Sequence, residues 1–579
     1  MKASDLIAFK LSQYSDYVFS GQGGSVIHIL DSLYKRKDIK LIPSQNEQGA
    51  SLAADAYTRT SRKLGIVVTT SGPGTLNALQ GLACSYYDSI PALYFSGAPV
   101  IGSIKKNKKL RQLGFQEMEM PEIVKSFTKY STRITNVKKI YYEIEKCIFI
   151  ARSGRPGPCL IDLPDDIQRM ETNVEEQEIF SPEDNKLVLD SNKTEEVCKM
   201  IKTSKKPIFI IGHGIKISDA KKEIDELLKM TNIPYAPTWA TFDMFNTDDP
   251  KNIGSFGVYA TRHGNFAIQN SDLLVIFGSR LNPSLIGSNG KLFAPNAKKI
   301  LIDIDPAELK EENGVKIDIK INCDVKDFVK SLNNKKIKWK INQNWLDKIQ
   351  YLKKKYPIVK EEYFNQKKLV NPYVFFQTLS NYTSKNDVII PDASANLVWT
   401  YQAYKVSKQQ KIFTALNHSP MGYSVAAAIG ASLGSPKNNV IAIIGDGSMQ
   451  MNIQELENIE SLKLPIKIFL INNKGYGMVK QTIDTWLDSK YVGCDAESGL
   501  PLPDFQKVSK SYGIDCVEIN NHNDLKEKIE YTLNYKGPIL CDVKLHPNEK
   551  IIPKVKAGIP IHKMLPALDE EEIQSNMIK

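Results

Sequence analysis

Residues 440–477 read VIAIIGDGSMQMNIQELENIESLKLPIKIFLINNKGYG, and the order of elements in this stretch decides the fold. VIAII is a continuous apolar run without polar alternation, the pattern of a strand buried on both faces. It enters Gly445-Asp446-Gly447-Ser448, a helical pattern follows through Glu460, and a second apolar run, IKIFLI, ends at Asn472-Asn473. Strand, helix and strand in so short a span predict a parallel βαβ unit. Asp446 and Asn473 then stand at the carboxyl ends of two strands, the rim where open α/β sheets bind ligands. Glycines on both sides of Asp446 let a bulky diphosphate approach the backbone, and the amides that open the next helix favour an anion. A carboxylate, an amide oxygen and a backbone carbonyl form a hard-oxygen set that suits Mg²⁺, which keeps phosphate and water among its ligands.

The same alternation extends in both directions. Apolar runs at 39–42, 65–70, 92–96 and 159–163 read as buried strands, with helical patterns at 47–60, 75–86 and 140–151 between them. The acidic stretch 172–192 reads as a linker. A second unit has strands at 207–211, 273–277 and 299–304 and ends near Asn333; residues 334–368 read as a helical connector. A third unit adds strands at 388–390 and 539–543 to the two quoted above. The expectation is α/β throughout: three consecutive doubly wound parallel-sheet domains, at 1–171, 190–333 and 369–550, followed by a tail at 551–579. The tail reads either as a flap over the site or as a packing arm. The first and third units share size and style without a clear sequence repeat.

The chain has 579 residues, 42% hydrophobic and 24% charged, enough to build several cores and outside the disordered class. Its apolar runs fall far short of the ~20 residues of a membrane span, and the first twenty residues, with Asp5 and Asp16, do not read as a secretory signal. A cytoplasmic protein without a membrane partner is expected. The net charge of +11 comes from lysines scattered among acids, which reads as a solvated surface and not as a nucleic-acid stripe. Eight cysteines include no Cys-x-x-Cys pair, so reduced thiols are expected in place of a zinc site or disulfide framework.

Gly-Asp-Gly, 24 intervening residues and Asn-Asn resemble the metal–diphosphate motif of thiamine-diphosphate enzymes. The resemblance implies Asp446, Asn473 and the Gly475 carbonyl as Mg²⁺ ligands. SQNEQGASLAADAYTR (44–59) resembles the segment that holds that family's catalytic glutamate, here Glu47; TTSGPG (69–74), with Gly72, stands beside it. A carboxyl group bonded to N1′ of the aminopyrimidine favours the imino tautomer that takes the proton from C2 of the thiazolium. Without that context, Glu47 reads as an acidic residue in the first turn of a helix.

Over nearly the whole chain the sequence is most similar to the acetolactate synthase large-subunit group. The matching stretches are Gly21–Gly24, Phe115-Gln116-Glu117, SGRPGPCLIDLPDDIQ (153–168), SDLLVIFGSRL (271–281), LIDIDPAEL (301–309), MGYSVAAAIGASLG (421–434) and GMVKQ (477–481). The resemblance implies Met421 as the side chain that bends the cofactor, where the plainer alternative is a core Met at a helix start. It also implies cofactor contacts at Asn396, Ser419, Gly445, Gly447, Ser448, Tyr476 and Met478. Gly24, Phe115, Gln116 and position 482 would border the substrate. Glu47 and the diphosphate site would come from different subunits of a homodimer or homotetramer.

Four departures surround substrate and flavin. Thr482 replaces the family's Trp, Ala395-Asn396 its Gln-His, Asp165 its Lys, and Asn282-Pro283-Ser284 its Asp-Asp-Arg. FAD stays open: Arg155, Arg280, Asp303, Asp305 and Asp324 persist, whereas the lost Arg and Gly212-His213-Gly214 count against it. Both arginines also read as ordinary ion pairs. The expected activity is Mg²⁺-dependent decarboxylation of pyruvate or a related 2-ketoacid and transfer of its acetyl equivalent to a carbonyl acceptor. A nucleotide-linked keto-sugar acceptor in surface-polysaccharide synthesis, and decarboxylation without ligation, are the alternatives.

Overall fold

The computed structural model describes residues 1–183, 187–310, 313–407 and 409–578. Three parallel sheets follow one another. The first contains β1 (Tyr17–Ser20), β2 (Lys40–Pro43), β3 (Gly65–Thr69), β4 (Ala92–Ala98), β5 (Tyr130–Arg133) and β6 (Pro158–Pro164), in the order β2-β1-β3-β4-β6-β5. The second contains β7 (Pro207–Ile211), β8 (Tyr235–Pro237), β9 (Leu273–Phe277), β10 (Lys298–Asp303) and β11 (Ile319–Asn322), in the order β11-β10-β9-β7-β8. The third contains β12 (Val388–Pro391), β13 (Lys411–Ile412), β14 (Val440–Gly445), β15 (Ile466–Asn472), β16 (Asp515–Ile519) and β17 (Ile539–Lys544), in the order β13-β12-β14-β15-β17-β16. The doubly wound α/β expectation holds.

Every residue of β3, β4, β6, β7 and β9 is buried, because helices cover both faces of each sheet. The covering helices show the matching period: Val325–Asn334 buries Val325, Phe328, Val329 and Leu332 along one stripe. One apolar cluster spans the first and third units, and a separate one fills the second.

The first and third units meet helix to helix, Glu47–Ser61 against Tyr423–Gly434. Both helices are rich in alanine, and the contact is backbone-close: a Cβ on Gly430 would fall 1.8 Å from the Ala53 carbonyl oxygen. Tyr423 Oη donates to buried Asp55 at 2.6 Å across the same seam.

The connector at 334–368 is more than a link between units. It belongs to the central core: Ile337, Trp339, Trp345 and Ile349 pack into it, and the helix itself is Gln343–Lys355. The tail packs along the central unit. Val555, Ile561 and Met564 join the central core, the short pair β18 (Lys554–Val555) and β19 (Met564–Leu565) is antiparallel, and Arg262 donates to the Met564 and Pro566 carbonyls. Lys579 lies outside the described residues.

Candidate functional site

In each sheet the strand order reverses between the first and third strands of the unit, which opens a crevice at the carboxyl ends. The crevice of the third sheet lies between β12 and β14. There, the Asp446 Oδ1 accepts from the amide of Gly447 at 2.7 Å and Oδ2 from that of Gly475 at 3.0 Å. Burial pushes this carboxyl up to about 7, against the two amides and with the Asp542 carboxylate nearby. The glycines around it are tight: a Cβ on Gly447 would sit 2.0 Å from the Tyr476 ring, and one on Gly475, at φ +144°, 2.2 Å from the Cys494 oxygen. Asn473 is buried, with its Nδ2 2.4 Å from where a Gly477 Cβ would lie. Asn396 closes the other wall; its Nδ2 is 3.0 Å from a Gly445 Cβ position. Asp446, Asn473, Gly475, Tyr476, Gly445, Gly447 and Asn396 therefore form one group. Among the described residues no cluster of three His, Cys, Asp or Glu side chains exists, so a cation here would rest on the mixed oxygen set.

Met421 stands in the turn before the helix Tyr423–Gly434 and is partly exposed, not a core residue. Asp392, which the sequence reading missed, holds that turn. Fully buried at the end of β12, it accepts from the amides of Gly422 (3.1 Å) and Ser424 (2.8 Å) and is also bonded by the Ser448 hydroxyl. The available signal was an acid directly after a predicted strand, in Pro391-Asp392. Ser419 shares the preceding loop at φ +50°. Met478 opens the helix Gly477–Trp486, with its Sδ 3.6 Å from the Ser394 hydroxyl; Thr482 is exposed one turn on and donates to the Met478 carbonyl at 2.9 Å.

The first sheet's crevice lies between β1 and β3 and contains Glu47, in the first turn of its helix behind the Asn46 cap. A Cβ on Gly21 would meet the Glu47 side chain at 2.3 Å and one on Gly74 its Oε1 at 3.0 Å, while Asn77 Nδ2 donates to Oε2 at 3.0 Å. Gly72 needs its φ of +63°, and a Cβ there would lie 2.6 Å from the Gln116 carbonyl oxygen. Gln116 therefore touches Gly72, two residues before the Gly74 of the glutamate cradle, and Phe115 beside it is 86% exposed. A Cβ on Gly24 would meet open space. Asp165 pairs with Arg169 at 3.1 Å and faces His28 at 3.6 Å.

The second sheet's crevice is a cavity of 660 Å³ whose lining includes Arg155, Gly214, Gly278, Arg280, Asp303 and Asp324. Gly212 and Gly214 approach Gly278 at backbone distance. Burial pushes Asp303 up to about 6. The arginines line the cavity and are also ion-paired. Arg155 reaches Asp305 at 3.0 Å and Glu308 at 2.6 Å; Arg280 donates to Asn417 at 2.5 Å and lies 3.8 Å from Glu308. Asp324 caps the helix Val325–Asn334.

A second feature missed from sequence links the crevices. Arg59 joins Asp55 (2.7 Å) to Asp88 (2.8 Å), and Asp88 accepts from the amides of Leu416 (2.8 Å) and Asn417 (3.0 Å).

Residues 1–123 match the family "Thiamine pyrophosphate enzyme, N-terminal TPP binding domain", 194–332 its central domain, and 392–543 its C-terminal TPP binding domain. The chain belongs to the thiamine pyrophosphate enzyme family. Within that family it is similar to acetolactate synthase large subunits. Identity to the Porphyra purpurea protein is 33% over 94% of this chain and 91% of the relative. For the Lactococcus lactis protein it is 30%, covering 95% and 93%, and for the chloroplastic acetolactate synthase of Arabidopsis thaliana 29%, covering 96% and 83%. This member of the thiamine pyrophosphate enzymes is therefore a thiamine-diphosphate-dependent enzyme of the acetolactate synthase-like group. Among its described residues no helix is long and apolar enough to cross a membrane.

Proposed function

We infer that the protein is a Mg²⁺- and thiamine-diphosphate-dependent carboligase. It would decarboxylate pyruvate or a related 2-ketoacid and join the remaining two-carbon unit to a carbonyl acceptor, with acetolactate formation as the parent case. The observation that carries this reading is the presence in one chain of two unlike carboxyl groups, Glu47 in a glycine cradle and Asp446 in a buried amide pocket.

The residues present fit the cofactor. Gly445, Gly447 and Gly475 leave backbone exposed to a diphosphate, and Asp446, Asn473 and the Gly475 carbonyl would hold Mg²⁺ between protein and phosphate. When bound, thiamine diphosphate supplies a carbon nucleophile and accepts the electron pair freed as CO₂ leaves. Glu47 would bond the aminopyrimidine and control its proton, with Asn77 fixing the carboxyl's orientation. Met421, set by Asp392, would support the cofactor from below, and Met478 would flank it. Gly24, Phe115 and Gln116 would border the substrate.

By its similarity to the acetolactate synthases, a complete site would combine Glu47 of one chain with the Asp446 pocket of another, in a homodimer or homotetramer. The central cavity has the glycine walls and flanking arginines of a dinucleotide site, which supports FAD there. Exposed Thr482 and the acid at Asp165 favour a second reading, an acceptor larger than a ketoacid.

The test is incubation with thiamine diphosphate, Mg²⁺ and pyruvate, following CO₂ and products. CO₂ release with acetolactate supports the parent reaction; no CO₂ from any small 2-ketoacid overturns the proposal.

A further inference from the structure

The loop that seats Phe115 and Gln116 also carries KKNKKLR at 105–111, five cationic side chains in seven positions. Lys106, Lys108, Lys109 and Arg111 are exposed. The nearby acids are engaged elsewhere: Glu119 pairs with Arg133, Glu122 with Lys125, and Glu117 caps backbone amides. Glu117 is buried and accepts from the amides of Lys105 (2.7 Å), Leu113 (2.7 Å) and Gly114 (3.1 Å), which closes the loop on itself. Lys105 Nζ reinforces the closure by donating to the Arg111 carbonyl at 3.0 Å.

This braced loop reaches the turn that leads into the glutamate cradle. The Gln116 carbonyl touches Gly72, and Gly74, two residues on, touches Glu47. Crowding like charges gains the fold nothing, since neighbouring cations repel. Their combined field does raise the local concentration of an anion, and more steeply the more charge that anion carries. A 2-ketoacid carries one negative charge; a diphosphate ester carries at least two and offers several acceptor oxygens to Lys and Arg.

We propose that Lys106, Lys108, Lys109 and Arg111 form a subsite for the phosphates of the carbonyl acceptor, a keto-sugar carried on a nucleoside diphosphate. The proposal rests on the carboligase reading above and specifies its acceptor. In the net transfer, the C–C bond to the donor's carboxylate breaks and CO₂ leaves, and the electron pair it frees becomes the new C–C bond between the two-carbon unit and the acceptor's carbonyl carbon. The acceptor's C=O π pair moves to its oxygen, which takes one proton, and no oxidant or reductant is consumed.

The test titrates full-length protein, loaded with thiamine diphosphate and Mg²⁺, with UDP-glucose, whose sugar has no ketone to react, and with glucose 6-phosphate. UDP-glucose is expected to bind, more weakly as salt rises, and about tenfold or more weaker in K106A/K108A/K109A/R111A. The charge-retaining K106R/K108R/K109R is expected to keep the affinity, and the double variant K108A/K109A to lose part of it. Absent binding, or equal affinity in the neutralised and unaltered proteins, overturns the subsite. Glucose 6-phosphate binding as tightly as UDP-glucose overturns the nucleoside-diphosphate assignment. CO₂ release from pyruvate by the unaltered protein judges the donor chemistry separately, so failure of either reading is recognisable.

Discussion

The first and third sheets have the same strand order when each is counted from its own first strand, and the carboxyl groups at their rims sit in opposite surroundings. Glu47 follows the second strand of its sheet, is partly exposed and is bonded by one side-chain amide. Asp446 follows the third strand of its sheet, is 1% exposed and is bonded by two backbone amides. Equivalent helices follow the second strand in both sheets, and these are the two that pack together across Gly430. The shared architecture supplies crevices; the loops decide whether the carboxyl at the rim stays half-open or is sealed among backbone amides.

That division makes the two acids separable. Glu47→Gln is expected to lower turnover about 10²–10⁴-fold while thiamine diphosphate binding stays within a few-fold, read by CO₂ release and titration calorimetry. Asp446→Asn should do the reverse, weakening Mg²⁺-dependent cofactor binding by at least ~10–100-fold and abolishing the rise in melting temperature on adding cofactor. Exchanged phenotypes would break the comparison.

The seam between the units gives smaller effects. Gly430→Val forces side-chain atoms onto the Ala53 carbonyl and should cost about 1–3 kcal/mol, seen as a lower urea midpoint. Glu455 packs at the same seam, accepting from Asn46 N at 3.3 Å and from Asn458 Nδ2 at 2.7 Å. Burial pushes its carboxyl from 4.5 up to about 7. Because the folded protein holds this proton more tightly, the stabilisation is full below pH 4.5 and is lost as pH rises toward 7. Glu455→Gln should flatten that slope, with a difference of about 1 kcal/mol in melting curves run from pH 4.5 to 7.5.

The sheets were legible where strands are buried on both faces. Residues 440–445, 466–472 and 273–277 stand out as unbroken apolar runs. β5 is only half-buried and β16 lies at an edge, so neither reads as a continuous run; β8 and β13 are too short to show a period. The common strand order is not legible because topology is a matter of connections, which local residue patterns do not record. Glu47, Asp446 and Asn473 stood out by type and spacing. Asp392 and Asp88 did not, since an acid that holds another loop's amides has no local pattern; its partners lie 30 and more than 320 residues away.

Asp88 belongs to the first unit, yet it fastens the backbone of Leu416 and Asn417 in the third, just ahead of Ser419 and Met421. The loop that carries Ser419 and Met421 is thus shaped by a domain that is not its own. A third unit cut free, or grafted behind a foreign first unit lacking an acid at this place, would inherit the Gly-Asp-Gly pocket with its floor unmoored. The three units share an architecture, but they are not interchangeable cassettes, and lineages that recombine them would have to carry this residue across with the join.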